Sequence, residues 1–259
     1  MTIEPIATRV AFVGHDELRF RGYRVFADLL GRTTATQAIV LGVSGHLLAG
    51  AEIEVIDDIV TAMSSADPRM WPFKMIRLAA SYGSAAIGVG AGLIGAQGGI
   101  FGPHRMRDAA LWLTQLRSRG ELTDDELLIE IDRGVRAFGV LYRQRDERFE
   151  ALVALAEQRG RHGLPHMELC RRAAALGRKF RQVEAHVFLV VAALALDVGL
   201  PLDAIAALAT VLLFHDGIAN ATEGAAQAPR VLRELPADRV AYRGRAARVS
   251  PRATRGSLV

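Results

Sequence analysis

The sequence predicts an all-α protein, on three observations. Hydrophobic residues make up 51% of the 259 residues, and aromatics only 6%. Ala, Leu, Val and Ile carry much of the apolar content, so strong helix formers dominate. Strand-like alternating runs of Val, Thr and Tyr are nearly absent. Apolar runs at helical spacing instead follow one another, punctuated by cap residues and glycines. The mean hydropathy of +0.19 allows a sizeable core.

In chain order, residues 18–31 (LRFRGYRVFADLLG) predict a short extended piece and then a helix. Residues 33–45 predict a helix opened by a Thr cap and closed by glycine. Residues 51–63 form an amphipathic helix with Ile53, Ile56, Ile59, Val60 and Met63 on one face. In 66–83 the prolines make a loop, and a helix starts near Phe73. The segment that follows places Ala85, Gly88, Gly92 and Gly95 near helical spacing. Glycine weakens a helix, so a Gly-rich helix points to close approach of another backbone. It ends in the glycine-rich loop 98-GGIFGPH-104.

Residues 123-TDDE-126 are a capping box. A charged helix covers roughly 145–159 and stops at Gly160, and 160-GRHGLPH-166 is a loop with two histidines. Residues 167–179 are again helical. Two stretches, 85–101 and 187–214, are apolar enough to raise a membrane reading, for which about 20 apolar residues are needed. The second is broken by Asp197, by Gly199-Leu200-Pro201 and by Asp203. It therefore predicts two short helices, apolar all round, at the centre of a globular protein. After Glu223 the composition shifts to Ala, Pro and Arg, and order is expected to fade.

Charge and cysteine narrow the function classes. The net charge is +4, and part of the basic excess lies in 243-RGRAARVSPRATRGSLV-259. No basic face interleaved with aromatics is visible, so no nucleic-acid partner is expected. Cys170 is the single cysteine, which excludes a disulfide framework and a thiol metal cluster. The start MTIEPIATRVAF lacks the pattern of a signal peptide, and a cytoplasmic location is expected.

Three residues could form an acid–base set: Lys74 after Pro72, His162 between two glycines, and Glu184 before the apolar run at 187. Spacing alone favours plainer roles. Lys74 reads as a solvent-facing helix residue, His162 as a loop residue, and Glu184 as a neighbour of a helix N-cap, favoured by the helix dipole. His186 reads as structural.

Five segments in collinear order add a resemblance. 21-RGYRVFADLLGRTTATQAIVLGVSGHL-47, 66-ADPRMWPFKMIRLAASYG-83, 88-GVGAGLIGAQGGIFGPH-104, 160-GRHGLP-165 and 182–223 (QVEAHVFLVV through GIANATE) resemble successive segments of the citrate synthase superfamily. The short citryl-CoA lyase-like branch is the most similar. The resemblance runs from about Arg19 to about Tyr242. It implies an all-helical homodimer, with residues 1–76 and 194–242 as a large domain and 77–193 as a smaller mobile one. Residues 243–259 are left as a flexible basic tail. The active site would lie in the cleft between the domains. Such proteins make or break a carbon–carbon bond between an acyl-CoA and an oxo acid. The partners implied are a coenzyme A thioester, as substrate, and a small carbonyl or hydroxy-acid compound. No permanently bound cofactor, metal or membrane is expected.

Carried over residue by residue, the resemblance is uneven. The family's base aspartate falls on Glu184, its second catalytic histidine on His162, and its enolate-stabilising histidine on Lys74. The histidine of the His-Gly-Gly-Ala loop falls near Phe101, with His104 close by. Gly98, Gly99, Gly102, His104, Arg105 and Arg107 would contact the coenzyme A portion. The substrate-carboxylate arginine falls near Phe214 and is lost. The Asp-Pro-Arg run is also missing, with Pro165-His166 in its place. Loss of that arginine argues against citrate or oxaloacetate, which call for paired guanidinium forks. Three function readings follow: a diverged acyl-CoA carbon–carbon lyase or synthase, a binding or regulatory protein that has lost the chemistry, and a Schiff-base chemistry at Lys74.

Overall fold

The computed structural model describes residues 6–64, 67–97, 102–134, 137–140, 144–212, 214–227, 236–246 and 248–249. It opens with a small antiparallel sheet, β1 (Ala11–Val13), β2 (Leu18–Phe20) and β3 (Tyr23–Arg24), in the order 1-2-3. The β2–β3 turn is only Arg21-Gly22, at φ 51° and 89°. Two left-handed residues in a two-residue loop match the twist of paired strands. The sequence reading had one extended piece here and no sheet. A pairing made by so short a turn leaves little alternating pattern to see. A single π turn, Val25–Leu29, follows.

The helices then come in order: α1 (Ala35–Ser44), α2 (Ala51–Met63), α3 (Trp71–Ser81), α4 (Ala85–Ala96), α5 (Pro103–Ser118), α6 (Asp124–Asp132), α7 (Glu147–Gln158), α8 (Pro165–Leu176), α9 (Val187–Asp197), α10 (Leu202–Leu212) and α11 (Phe214–Ala225). The expected caps are in place. Thr34 with Gln37 and Thr123 with Glu126 form reciprocal capping boxes, and Gly45 closes α1 at φ 79°. These contacts satisfy amide and carbonyl groups that a helix end leaves without partners.

Apolar side chains gather into two clusters. The larger is built on α9, whose Leu189, Val190 and Val191 are fully buried, with α5, α7 and α8 packed around it and α1, α2, α6 and α10 contributing. It draws on both stretches expected as separate domains. The smaller joins Phe73 and Ile76 of α3 to Ala80 and to Ala221 of α11. There α4 lies so close to α3 that a Cβ on Gly88 would stand 2.6 Å from the Ile76 carbonyl oxygen. Gly88 thus marks a close backbone contact, while a Cβ on Gly92 or Gly95 would meet the side chains of Ile76, Met75 and Trp71. Arg77 of α3 reaches α11, donating to Glu223 at 2.7 and 2.8 Å and to Asn220 Oδ1 at 3.2 Å. Leu202–Ala225 is long and apolar enough, by length and composition, to cross a membrane. Here α10 packs on α5 and α1, and α11 on α3 and α4.

Candidate functional site

α8 does not end in an ordinary turn. It runs into a second π turn, Gly177–Arg181, and the chain then passes through Gln182 at φ 55°. Residues 183–186 are extended. The Gly139 amide donates to the Glu184 carbonyl and the His186 amide to the Ala137 carbonyl, each at 2.8 Å, around an antiparallel bridge between Phe138 and Ala185. Side chains alternate along an extended segment. Ala185 turns into the core, while Glu184 and His186 share the other face. On the neighbouring strand, Arg105 Nη2 donates to the carbonyls of Phe138 and Gly139 at 3.1 and 3.3 Å.

Asp146 fastens this arrangement. It caps α7, its Oδ1 accepting from the Arg148 amide and Nε. Its Oδ2 accepts from Arg148 Nη2 at 2.9 Å and from the Val187 amide, the first of α9, at 3.0 Å. His186 caps α9 in turn, its Nδ1 accepting from the Phe188 amide at 3.2 Å. The starts of α7 and α9 therefore meet at one place, their first amides satisfied by Asp146 and His186, and the Arg105 side chain of α5 reaches in beside them. Arg105, Asp146 and His186 are all buried there.

Burial, with the nearby Arg105 guanidinium, pushes the His186 imidazole down to about 3, the Asp146 charge opposing only in part. His186 is therefore neutral at physiological pH. Because its Nδ1 accepts, its proton is carried on Nε2. Burial alone would raise the Asp146 carboxyl. The hydrogen bonds and charge of Arg148, with the Val187 amide, outweigh it and hold the group below the usual aspartate value.

Glu184 is partly buried at the mouth of α9. Arg178 Nε lies 3.1 and 3.0 Å from its two oxygens, and Arg178 Nη2 2.8 Å from Oε2. The same Nη2 donates to Glu150 of α7. Arg145 Nε stands 3.9 Å from Oε1.

The other expected site residues are scattered. His162 is exposed in the loop after α7. The start of α7 meets Glu184 through Glu150 and Arg178, and its end meets α2 through Arg159, bound to Glu54 and to Asp58 at 2.6 Å. A 12-residue helix is about 18 Å long. His162 thus stands at the far end of α7 from Glu184, and the loop residues beside Glu184, among those described, are 137–139 and Arg145. Asp146 caps α7, which begins Glu147-Arg148. Pro165-His166 open α8, the His166 and Met167 amides donating to Asp197. Lys74 is exposed on α3, whose packing partners are α4 and α11.

Of the residues expected on coenzyme A, Gly98 and Gly99 lie outside the described residues. Gly102 is the N-cap of α5 at φ 69°. His104 and Arg107 are exposed, and Arg105 is turned inward onto carbonyls. Sequence reasoning missed Arg178, Arg145, Asp146 and Arg148. A charged Asp-x-Arg run at a helix start was the visible signal for two of them.

An apolar cavity lined by Phe73, Ile76, Leu93 and Phe214 lies between α3, α4 and α11, away from these charged groups. Its described lining is apolar. Among the described residues no cluster of His, Cys, Asp and Glu could hold a metal. Cys170 is fully buried, which pushes its thiol well up and leaves it inert.

No protein-family model and no curated protein matches the sequence. Solved structures do match. Citryl-CoA lyase from Hydrogenobacter thermophilus is similar at a TM-score of 0.83 and 21% identity, over 97% of this chain and 100% of that one. ATP citrate lyase from Methanothrix soehngenii, in complex with citrate and coenzyme A, gives 0.76 at 17% identity, over 95% of this chain and 43% of that one. Citrate synthase from the thermophilic archaeon Thermoplasma acidophilum, with carboxymethyl coenzyme A and oxaloacetate, gives 0.63 at 14% identity, over 85% and 60%. This chain spans less than half of the ATP citrate lyase chain. This chain has the mostly helical fold of those structures.

Proposed function

From that fold, we propose that the protein makes or cleaves a carbon–carbon bond between an acyl-CoA and a small carbonyl compound, with Glu184 as the base. The observation that carries this reading is the position of Glu184. It is a carboxylate held by Arg178 beside the joined starts of α7 and α9, within a fold that matches a citryl-CoA lyase over 97% of this chain. An acyl-CoA α-proton is very weakly acidic, so its removal requires an aimed carboxylate and nearby donors for the enolate oxygen. In the step proposed, the α C–H bond breaks, the proton passes to Glu184, and the electron pair is left on the enolate. Arg145, whose Nε stands 3.9 Å from Glu184 Oε1, is the nearby donor proposed to stabilise that charge. The substrate is proposed to be other than citrate.

The experiment is a screen of acyl-CoA thioesters for binding and for exchange of the α-proton with deuterated water. Exchange that is abolished in Glu184→Gln supports the reading. Absence of both binding and exchange refutes it.

A second reading is favoured by one observation. The structure does not bring His162 or Lys74 to Glu184, and Arg178 already occupies the Glu184 carboxylate. A binding or regulatory protein that has lost the chemistry fits these facts. It predicts binding of acyl-CoA with no exchange.

We also propose a homodimer. α4 exposes Ile87 and Ile94, and its neighbours expose Trp71, Met75 and Ile218. So large an apolar patch on three packed helices fits an interface.

A further inference from the structure

We propose that Arg178 is the positioning residue of this site, fixing the Glu184 carboxylate, and that Glu150 holds Arg178 to that task. The inference rests on the reading of Glu184 as a base. It starts from the backbone. π turns are rare and are found most often at functional sites. One stands here at the end of α8, its Gly177 carbonyl accepting from the Val183 amide. Directly after it comes Gln182 at φ 55°, a conformation that costs a side-chain-bearing residue energy. An α8 that simply stopped would need neither feature. Together they reverse the chain within six residues, so that Arg178 faces Glu184 across its own turn.

The contacts are those of an orienting group. A guanidinium is a planar fork that fixes a carboxylate in direction as well as in distance. Nε lies between the two Glu184 oxygens, and Nη2 adds a second bond to Oε2 alone. Each carboxylate oxygen has two lone pairs. Oε2 is engaged twice by Arg178 and Oε1 once, so Oε1 is the oxygen left to take a proton. It lies on the Arg145 side. Glu150, one turn into α7, binds the same Nη2 from the other side. It prevents the guanidinium from rotating away. α7 is itself tied to the start of α9 by Asp146, so the orientation of Glu184 is referred to the rigid core.

The test uses the full chain in two measurements. The first needs no acyl-CoA. In a proton–nitrogen correlation spectrum of the arginine side chains, the Arg178 Nε–H is expected to be slow to exchange with solvent. It should lose that protection in Glu184→Gln and keep only part of it in Glu150→Gln. An Arg178 Nε–H as fast as that of an exposed arginine in the wild type overturns the proposal. The second measures α-proton exchange of a bound acyl-CoA. Arg178→Lys keeps the charge and loses the fork, and is expected to lower the exchange rate on the order of tenfold to a hundredfold with little change in acyl-CoA affinity. Arg172→Gln on the same helix, which breaks only an exposed pair with Asp124, is the folding control. Arg178→Lys exchanging at the wild-type rate also overturns the proposal. Should the wild type bind acyl-CoA and exchange nothing, the catalytic reading fails, and the spectrum alone decides whether Arg178 fixes Glu184.

Discussion

Asp146 Oδ2 accepts the Val187 amide at 3.0 Å, so the carboxylate that caps α7 also caps the first amide of α9. The same side chain holds Arg148 through both oxygens. One buried carboxylate thus joins two helix starts and neutralises a guanidinium. Its removal leaves a charge without its partner and two amides without acceptors. Asp146→Ala is expected to destabilise the fold by roughly 3–5 kcal/mol. Asp146→Asn, which keeps an acceptor, should lose less. Urea unfolding of both variants measures the difference.

The pH dependence of stability follows from His186. Its folded-state value of about 3 lies below the ordinary 6.5, because burial disfavours the imidazolium. As pH falls through 6.5 the unfolded chain gains a proton that the folded chain refuses. The contribution is fully present above pH 6.5 and is lost progressively toward pH 3, at no more than about 1.4 kcal/mol per unit. Asp146, held below its usual 3.8, adds a second loss only below that pH. His186→Asn can still cap α9. It should flatten the slope between pH 6.5 and 4.5, read from denaturant midpoints across that range.

The contact of α4 with α3 leaves no room for a methyl group. A Cβ on Gly88 meets the Ile76 carbonyl oxygen at 2.6 Å, and one on Gly224 meets the Arg77 Cα at 2.8 Å. Both neighbours are backbone and yield little. Gly88→Ala and Gly224→Ala should each cost about 1–3 kcal/mol, seen as a lower thermal midpoint.

Separation along α7 gives a sharp contrast between two residues. His162→Ala is expected to change acyl-CoA α-proton exchange by less than about twofold, since surface substitutions away from a site change little. Glu184→Gln should abolish exchange. Parallel assays of the two variants decide whether the loop 160–166 acts with Glu184.

Ile94 is 77% exposed on α4. If α4 lies in a dimer interface, Ile94→Lys buries a charge there. The variant should then elute as a monomer where the wild type elutes as a dimer, with unchanged helical content.

Much of the fold was legible before any coordinates. The Thr34 and Thr123 boxes, Gly45, Gly160 and the broken run at 199–201 mark helix ends through local hydrogen bonds and backbone angles, which the nearby residues set by themselves. The α4 glycines signalled a close neighbour for the same kind of reason. The site was less legible. Glu184 was identified, yet the residues that surround it come from positions 105, 137–140, 145–150 and 178. Those meet only because Asp146 joins the starts of α7 and α9 and the turn after α8 ends beside them.

The sequence by itself determined a mostly helical fold, several helix ends and one carboxylate at the mouth of a buried helix. These follow from periodicity and capping, which act over a few residues. Only the tertiary structure decided what faces that carboxylate. It set Arg178 on Glu184, left His162 beyond the far end of α7, and turned Arg105 inward. The physical reason is that a charged side chain's role depends on which partner desolvates and orients it. Glu150 and Arg178 are 28 residues apart, and Asp146 and Val187 are 41, and partners that distant are chosen by packing, not by spacing.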